Sequence, residues 1–404
     1  MRAKTEQQIP ARSTHIAEVA GGYGDFHDAR KTWSRIKHGI FGRYLSLLLG
    51  KLGRPGEHVY CVDGFAGQGR YASGEDGSPL IAPKIAAEPV QTSRRDVLRC
   101  INVEPDQETF KNLAEATADY VKQSIVSNLP GTFEENLPTI LKQVQACPTF
   151  FFIDPFGTEG AEISTLQAIA KRSGKTEVLV RYDDTRVKRL IAWARTNWDD
   201  LDQRQRKTSE AFLVRVSRLT TDAAVEAFLK SDPGASEALI TGYISEVKQR
   251  NIFRFGIHYP VRNPVTGGHR YYLAHFCNHE DGYCYMANFM AKVERTLQGL
   301  SAKPNDLFGE QPAQLELLEI REEFVTQAED AAVKRIHAKL PKIFNDRRFC
   351  RRRIQNRQIF AAIVDHFGYS TTRKEWVRAL RQLSEAGKIK MESSEDSSYT
   401  EIAS

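Results

Sequence analysis

The first 280 residues switch repeatedly between helical and strand-like spacing of their apolar positions. Residues 26–52 carry apolar side chains at helical spacing and end at a break rich in glycine and proline, which predicts a helix packed on a sheet. Five short β-rich runs then alternate with helical stretches: 59–62, 97–103, 124–127, 149–153 and 177–180. Repeated strand and helix units predict a parallel sheet covered on both faces.

Two later runs predict how this sheet closes. Residues 253–261 and 270–277 are β-rich and are joined by the turn sequence at 263–268, which favours an antiparallel hairpin. The helical stretch between the fifth strand and this hairpin, about 186–250, is longer than a crossover requires. We therefore expect a helical insertion there, near the active face.

The C-terminal part has a different pattern. A polar segment with prolines at 301–314 marks a domain boundary. Two helical patterns, 356–364 and 370–383, precede a tail at 388–402 that suits two short strands. We predict a Rossmann-like α/β domain over residues 1–300, a linker and helix over 301–335, and a winged-helix-like domain over 336–404.

Composition narrows the class of protein. The chain has 404 residues and 41% hydrophobic content, enough for one large domain and a smaller one. No apolar run approaches the roughly 20 residues of a membrane span, and the polar N-terminus lacks a signal-peptide core, so we expect a cytoplasmic protein without a membrane partner. The six scattered cysteines have no C-x-x-C spacing, which favours buried thiols and no metal site. The net charge of +6 permits a polyanionic partner without requiring one.

A glycine-rich turn follows the first predicted strand, in the run 60–71. The strand ends at Asp63, and the candidate cofactor-binding residues of the turn are Gly64, Ala66, Gly67 and Gly69. This spacing departs from the dinucleotide fingerprint, and Arg70 and Tyr71 replace the lysine and hydroxyl residue of a P-loop. The pattern that remains is that of S-adenosylmethionine (SAM) binding, and the alternative is a plain tight turn.

The next two strand ends carry further candidates for the same cofactor. Glu104 ends the second strand, where its carboxylate suits both ribose hydroxyls or, alternatively, caps a helix. Thr132 and Phe133 follow the third strand and suit the adenine ring, with a core position as the alternative for Phe133.

The fourth strand delivers a second motif, Asp154-Pro155-Phe156-Gly157. It resembles the D-P-P-Y/F signature of amino methyltransferases, in which the carboxylate accepts hydrogen bonds from an exocyclic amine and the aromatic ring stacks on a flipped base. One proline is missing and the aromatic residue comes one position early. The alternative is that Asp154 caps the following helix and Phe156 plugs the sheet edge.

Basic residues cluster around the predicted winged helix. The candidate nucleic-acid-binding residues are Arg351, Arg352, Arg353, Arg373, Lys374 and Arg378. Such clusters neutralise phosphates, but they also form solvated faces or surfaces for protein partners.

Four of these segments together closely resemble the bacterial three-Cys-motif partner family. They are residues 33–38, 62–71, 77–80 and 152–157. The resemblance implies a class I SAM-dependent methyltransferase fold and a partner of the radical-SAM kind, acting in nucleic-acid modification, DNA repair or phage defence. Lys37 and His38 are also similar to the adenine methyltransferase of large-subunit ribosomal RNA, which adds both to the candidate catalytic residues. Thr132 stands where the family often has an acid, and Arg181 stands where a neutral residue is expected.

The leading hypothesis is a SAM-dependent methyltransferase that acts on a base amine of DNA or RNA. The second is a non-catalytic nucleic-acid-binding subunit of a modification, repair or defence complex, favoured by the altered Asp-Pro-Phe-Gly motif. A nuclease has little support, because no metal-ligand cluster stands out.

Overall fold

The structure is a computed structural model, and it describes residues 32–54, 56–87, 97–188, 202–221, 223, 225–226, 236–263, 267–299, 322–345 and 353–402. The strands are β1 Val59–Asp63, β2 Leu98–Glu104, β3 Val126–Pro130, β4 Thr149–Ile153, β5 Thr176–Tyr182, β6 Phe255–Arg262, β7 His269–Cys277, β8 Arg353–Gln355, β9 Ile389–Met391 and β10 Tyr399–Ile402. The helices of the first part are α1 Thr32–Leu52, α2 Ser78–Ala87, α3 Gln107–Lys122, α4 Phe133–Gln143, α5 Ile163–Ala170, α6 Gln203–Ser217, α7 Ser236–Gln249 and α8 Glu280–Gly299. Those of the C-terminal part are α9 Glu322–Phe344, α10 Asn356–Phe367 and α11 Arg373–Glu385.

Seven strands form the main sheet in the order β3-β2-β1-β4-β5-β7-β6. Strands β1 to β5 are mutually parallel, and β7 runs antiparallel to both β5 and β6. The predicted mixed α/β sheet with an antiparallel closing hairpin is therefore confirmed. The third strand begins two residues later than predicted, because Ser124 adopts a left-handed φ of 57° in the turn that leaves α3.

Each face of the sheet has its own core. Helices α1, α2 and α8 cover one face with residues such as Phe41, Ile81 and Met286. Helices α4, α5 and α7 cover the other with residues such as Ile140, Leu166 and Tyr243. The central strand β4 is buried on both faces, which explains its unbroken apolar run Phe150-Phe151-Phe152.

Part of the predicted insertion belongs to the sheet packing. Helix α7 buries Leu239, Tyr243 and Val247 in the second core, and the Tyr243 hydroxyl donates to the carbonyl of Ala161 at 2.6 Å. The helix therefore serves as the crossover between β5 and β6. Within the described part of the 186–250 stretch, α6 precedes this helix, and its Val216 also packs in the second core.

The C-terminal elements follow the order α9, β8, α10, α11, β9, β10, with a three-stranded antiparallel sheet ordered β8-β10-β9. The indole of Trp376 is fully buried at their centre and donates to the Thr371 hydroxyl at 2.9 Å. The predicted boundary at 335/336 falls inside α9. The predicted linker at 301–314 lies outside the described residues, as do Arg351 and Arg352.

No helix among the described residues is long and apolar enough to cross a membrane. Five cysteines within the described ranges are free thiols, and four of them are buried: Cys61, Cys100, Cys277 and Cys284.

Candidate functional site

Charged side chains from four strands meet at the carboxyl edge of the sheet. Asp63 and Glu104 are the last residues of β1 and β2, Asp154 follows β4, and Arg181 lies near the end of β5. The chain order changes direction between β1 and β4, and open α/β sheets bind their ligands in the crevice at such a point. The sequence placed these residues on separate strands, and the topology brings them to one edge.

The glycine turn is built so that side chains do not fit. Gly67 and Gly69 have left-handed φ angles of 67° and 84°. A Cβ atom at Gly64 would lie 3.0 Å from the Phe133 ring, and one at Gly77 would lie 2.9 Å from the carbonyl oxygen of Gly69. The turn is therefore a tight backbone cradle in which side chains at the glycine positions would clash or be strained.

Asp63 has one carboxylate oxygen without a partner. Its Oδ1 accepts from the Phe65 amide at 3.2 Å, and the Ser78 hydroxyl also donates to the carboxylate, but its Oδ2 is buried without a hydrogen bond. Burial raises the pKa of Asp63 to about 7. A cationic group bound beside Oδ2 would favour the ionised form and satisfy the oxygen that the protein leaves unpaired.

Glu104 ties the glycine turn to the next strand end. Its carboxylate accepts from the amides of Gly67 at 2.9 Å and Asp106 at 3.0 Å. Burial raises its pKa, and these two hydrogen bonds oppose the shift. Helix α3 is capped by Asp106, which accepts from the Thr109 amide at 2.8 Å, so Glu104 does not serve as that cap. A carboxylate accepts about four hydrogen bonds, which leaves room for two hydroxyl donors.

The two residues predicted to contact adenine, Thr132 and Phe133, both make contacts with other residues of the protein. Thr132 caps α4 in a reciprocal capping box with Glu135. The Phe133 ring is buried, packs against Gly64 and lies 5.9 Å from the ring of Phe65. Phe133 thus occupies the core position that the sequence left as its alternative.

Asp154 lies between two cations. Lys37 of α1 donates to its Oδ2, and the Arg181 guanidinium is 3.8 Å from its Oδ1. Oδ1 itself is buried and accepts no hydrogen bond. Burial lowers the pKa of Lys37, and the charge of Asp154 opposes that shift. Helix α5 is preceded by Glu162 at its N-cap, so Asp154 does not cap it.

A cleft joins α1, the glycine turn and the Asp154 motif, while Asp63 and Glu104 lie behind the turn and do not line it. Its walls are formed by Trp33, Ser34, Lys37, His38, Phe65, Ala66, Gly67, Gln68, Gly69, Arg70, Tyr71, Gly77, Ser78, Asp154, Phe156, Arg181 and Tyr271. The glycine turn and the Asp154 motif therefore border a single space. Phe156 is half-buried in this wall, Pro155 is buried, and His38 is buried with its ring 6.3 Å from that of Tyr71.

Sequence reasoning missed Tyr271 as a member of the cleft. The Arg181 guanidinium lies over its ring at 4.5 Å, and its hydroxyl donates to the Trp33 carbonyl at 3.3 Å. Tyr271 lies diagonally across from Arg181, because the β5–β7 register pairs Arg181 with Leu273. Only this register brings Arg181 and Tyr271 together. The one signal available in the sequence was the alternation of side chains along β7.

The loop between the glycine turn and α2 is held over the cleft by ion pairs. Arg35 of α1 contacts Glu75 at 2.5 Å, and Asp76 pairs with both Lys84 and Arg70. An isolated bridge links Arg70 to Asp76. These contacts fix the loop beside the turn.

The described basic residues of the C-terminal part do not line the cleft. Arg353 pairs with Glu392 and Glu401, Lys374 with Glu329, and Arg378 with Asp330. Arg373 donates to Asp396 and to the Ser394 carbonyl, which holds the β9–β10 loop against the start of α11.

Comparison with known proteins gives remote fold similarity only. No protein-family model and no curated protein matches the chain, so the resemblance to the three-Cys-motif partner family stays a prediction. Among solved structures, the O-methyltransferase from Bacillus cereus in complex with SAH is 12% identical, with 67% of this chain and 93% of that chain covered and a TM-score of 0.34. The O-methyltransferase TomG from Streptomyces achromogenes in complex with SAM is 13% identical, with 67% and 92% covered and a TM-score of 0.34. A putative O-methyltransferase from Klebsiella pneumoniae is 11% identical, with 63% and 94% covered and a TM-score of 0.31. Similarity this low carries no argument about activity.

Proposed function

We propose that this protein is a SAM-dependent methyltransferase that acts on an exocyclic base amine of a nucleic acid. One observation carries the proposal: a buried carboxylate oxygen without a hydrogen bond, Oδ1 of Asp154, belongs to a residue lining the same cleft as the glycine turn. An acceptor placed next to a cofactor cradle is what an amine nucleophile requires.

The residues at the edge of the sheet fit the cofactor. Oδ2 of Asp63 lacks a partner and suits the ammonium group of a bound methionine moiety. The two remaining acceptor directions of Glu104 suit the ribose hydroxyls, and the turn at Gly67 and Gly69 lets the backbone approach closely. The sheet order also differs from the dinucleotide-binding order, because antiparallel β7 is inserted between β5 and β6. When bound, SAM supplies a methyl group activated on a sulfonium.

Asp154 directs the chemistry of the amine. An amine N–H that donates to Oδ1 concentrates the nitrogen lone pair on the side facing the methyl group. With SAM bound, the amine lone pair would form the new N–C bond, the C–S bond would break with its electrons kept by sulfur, and Asp154 would take the surplus proton from nitrogen and pass it to water. Phe156, half-buried in the cleft wall, provides an aromatic surface for the base.

Lys37 positions this carboxylate. Its ammonium holds Oδ2 and leaves Oδ1 for the substrate. The pair joins α1 to the end of β4, so the first helix forms part of the catalytic wall.

The C-terminal part supports the nucleic-acid substrate. The order α9, β8, α10, α11, β9, β10 with an antiparallel sheet is consistent with a winged helix, and we propose residues 322–345 and 353–402 as parts of this domain. Lys374 and Arg378 are exposed on α11, and their pairs with Glu329 and Asp330 are solvent-accessible, worth about 0 to 1 kcal/mol each and readily exchanged for phosphate. The resemblance also proposes a three-Cys-motif radical-SAM-type partner, testable by co-purification.

The test combines binding with turnover. Calorimetry with SAM should show binding to the wild-type chain, and transfer of a labelled methyl group to total DNA or RNA should be lost in Asp154→Ala while SAM binding is retained. Asp119→Ala, at a surface position on α3, is the matched control. Absence of SAM binding by the wild-type chain would refute the proposal.

One observation favours the second candidate, a non-catalytic nucleic-acid-binding subunit. Lys37 and Arg181 both contact the carboxylate of Asp154, so a substrate amine would compete with two cations for it. Full biological activity of Asp154→Ala would support this alternative over catalysis.

A further inference from the structure

Two buried polar atoms in the cleft walls lack hydrogen bonds, and they have opposite character. Oδ1 of Asp154 is an acceptor, and Nε of Arg181 is a donor. The two side chains are only 12% and 14% exposed, and the guanidinium is 3.8 Å from Oδ1. An unmet acceptor and an unmet donor thus lie side by side in the proposed substrate cleft.

The guanidinium is held in a fixed plane. It stacks over the ring of Tyr271 at 4.5 Å, and its Nη2 is 3.5 Å from Oδ2 of Asp183. Tyr271 is anchored in turn through its hydrogen bond to Trp33. A guanidinium fixed in this way reads a planar partner with directional N–H groups, which a lysine ammonium does not do.

Lys37 does not supply this directional contact to a planar partner. Its ammonium is committed to Oδ2 of Asp154, the other oxygen of the same carboxylate. Arg181 is therefore the cation in the cleft that borders the free oxygen, as far as the described residues show.

We propose that Arg181 is a specificity-determining residue that selects an amine whose neighbouring ring nitrogen is an unprotonated acceptor. The inference rests on the proposed base-amine methyltransferase function. Asp154 accepts from the amine while the Arg181 guanidinium donates to the ring nitrogen beside it.

This pair of contacts distinguishes the bases by their Watson–Crick edges. Adenine presents the N6 amine beside the acceptor N1, and cytosine presents the N4 amine beside the acceptor N3. On this edge guanine presents its N2 amine beside N1–H, a donor that would face the guanidinium and leave two donors opposed. The other ring neighbour of that amine, N3, is an acceptor, but it lies on the opposite side of the amine. Adenine and cytosine are therefore accepted through their Watson–Crick edges, and guanine is rejected in that orientation.

The experiment removes the ring nitrogen from the substrate and, separately, the guanidinium from the enzyme. Methyl transfer is measured with short single-stranded oligonucleotides that carry one target base: adenine, 1-deazaadenine, cytosine, 3-deazacytosine or guanine. The deaza bases keep the amine and replace the ring acceptor by C–H. Wild-type enzyme should lose roughly 10- to 100-fold in kcat/KM between its preferred base and the deaza analogue, the range for a hydrogen bond to a charged group.

In Arg181→Met this ratio should fall to near one, because the donor is absent for both substrates. Arg254→Met is the matched control: Arg254 also stacks on an aromatic ring, that of Phe255 at 4.8 Å, but does not line the cleft. It should keep the wild-type ratio, and SAM binding should be unchanged in both variants.

The other possible outcomes would contradict either the role of Arg181 or the proposed function. If wild type methylates the deaza base equally well, Arg181 does not read the ring nitrogen although the enzyme is a base methyltransferase. If wild type prefers guanine, selection through the Watson–Crick edge is wrong. If Arg181→Met lowers both rates equally and keeps the ratio, its role is structural only. If wild type methylates no oligonucleotide and no cellular nucleic acid, the proposed function fails and this inference fails with it.

Discussion

At the scale of single residues, the site depends on acids whose charge is controlled by their surroundings. Asp63 and Asp154 lie at neighbouring strand ends, yet burial dominates the pKa of Asp63 while Asp154 forms an ion pair with Lys37. Both acids could be chosen from sequence, because each ends a strand before a turn. Their environments could not, since Lys37 and Arg181 reach Asp154 from elements 117 residues upstream and 27 residues downstream.

Asp63→Asn should remove the pH dependence that Asp63 adds to stability. Below about pH 4 the carboxyl is protonated in both folded and unfolded chains and has no effect. As the pH rises, the unfolded chain ionises first, so wild type loses stability until the pH passes the folded-state pKa of about 7. The difference in Tm between the variant and wild type should therefore increase from about pH 4 to 7 and then stay level. Thermal unfolding measures it.

The same variant should bind SAM at least about 10-fold more weakly, since the charge opposite the ammonium is lost. Asp119→Asn on the surface is the control for both readouts. A Tm difference that does not vary with pH would mean that Asp63 ionises normally in the folded protein.

Lys37→Met should impair turnover without affecting the cofactor. Removing the ammonium leaves Oδ2 of Asp154 unsatisfied, at a cost of about 1 to 3 kcal/mol in folding free energy. We expect kcat to fall by about 100-fold while the Kd for SAM changes little, measured by methyl transfer and calorimetry. The double variant Lys37→Met, Asp154→Asn should recover part of the stability, and a double variant less stable than the sum of the single changes would contradict this pairing.

At the scale of elements, the informative unit is the strand–turn–helix that forms the proposed cofactor cradle. Its glycines were readable from sequence because only glycine adopts left-handed φ angles cheaply. The hairpin β6–β7 was equally readable from its turn. The contribution of β7 to the cleft was not, because register, and not alternation, places Tyr271 under Arg181.

Gly69→Ala and Gly74→Ala separate the backbone cost from the steric cost in this unit. Both glycines have left-handed φ angles, 84° and 86°. A Cβ at Gly69 would lie 3.0 Å from the Cβ of Ala116, whereas a Cβ at Gly74 meets open space. Each substitution should cost about 1 to 2 kcal/mol from the backbone, and Gly69→Ala should cost more. Denaturant unfolding gives these values.

Only Gly69→Ala should weaken SAM binding, because Gly69 lines the cleft and Gly74 does not. Equal affinity in the two variants would show that the turn does not hold the cofactor.

At the scale of the whole molecule, the sheet domain and the C-terminal part share one core. The buried cluster that begins at α1 continues through α8 to Phe360 and Trp376. Polar contacts reinforce the junction, including Arg295 with Glu375 at 2.8 Å and Tyr285 with Asp396 at 2.6 Å. The sequence indicated two domains, but it gave no sign that they would pack together through α8.

Trp376→Ala should therefore destabilise the whole chain and not just its C-terminal part. The expected loss is about 3 to 5 kcal/mol, as for a large buried aromatic residue. Scanning calorimetry should show a single unfolding transition at a lower temperature than in wild type. On heating, SAM binding should be lost over the same transition. Leu166→Ala in the other core is the comparison. Two separate transitions, with only one of them shifted, would show that the parts unfold independently.

The sequence by itself determined the order of strands and helices, the glycine cradle and the acids that end β1, β2 and β4. These are local consequences of backbone geometry and hydrophobic period, which neighbouring residues specify. The tertiary structure decided that Lys37 and Arg181 share Asp154, that Tyr271 supports Arg181, that Phe133 belongs to the core, and that Lys374 and Arg378 face acids of α9. These depend on packing and strand register between distant segments, and no local pattern encodes them.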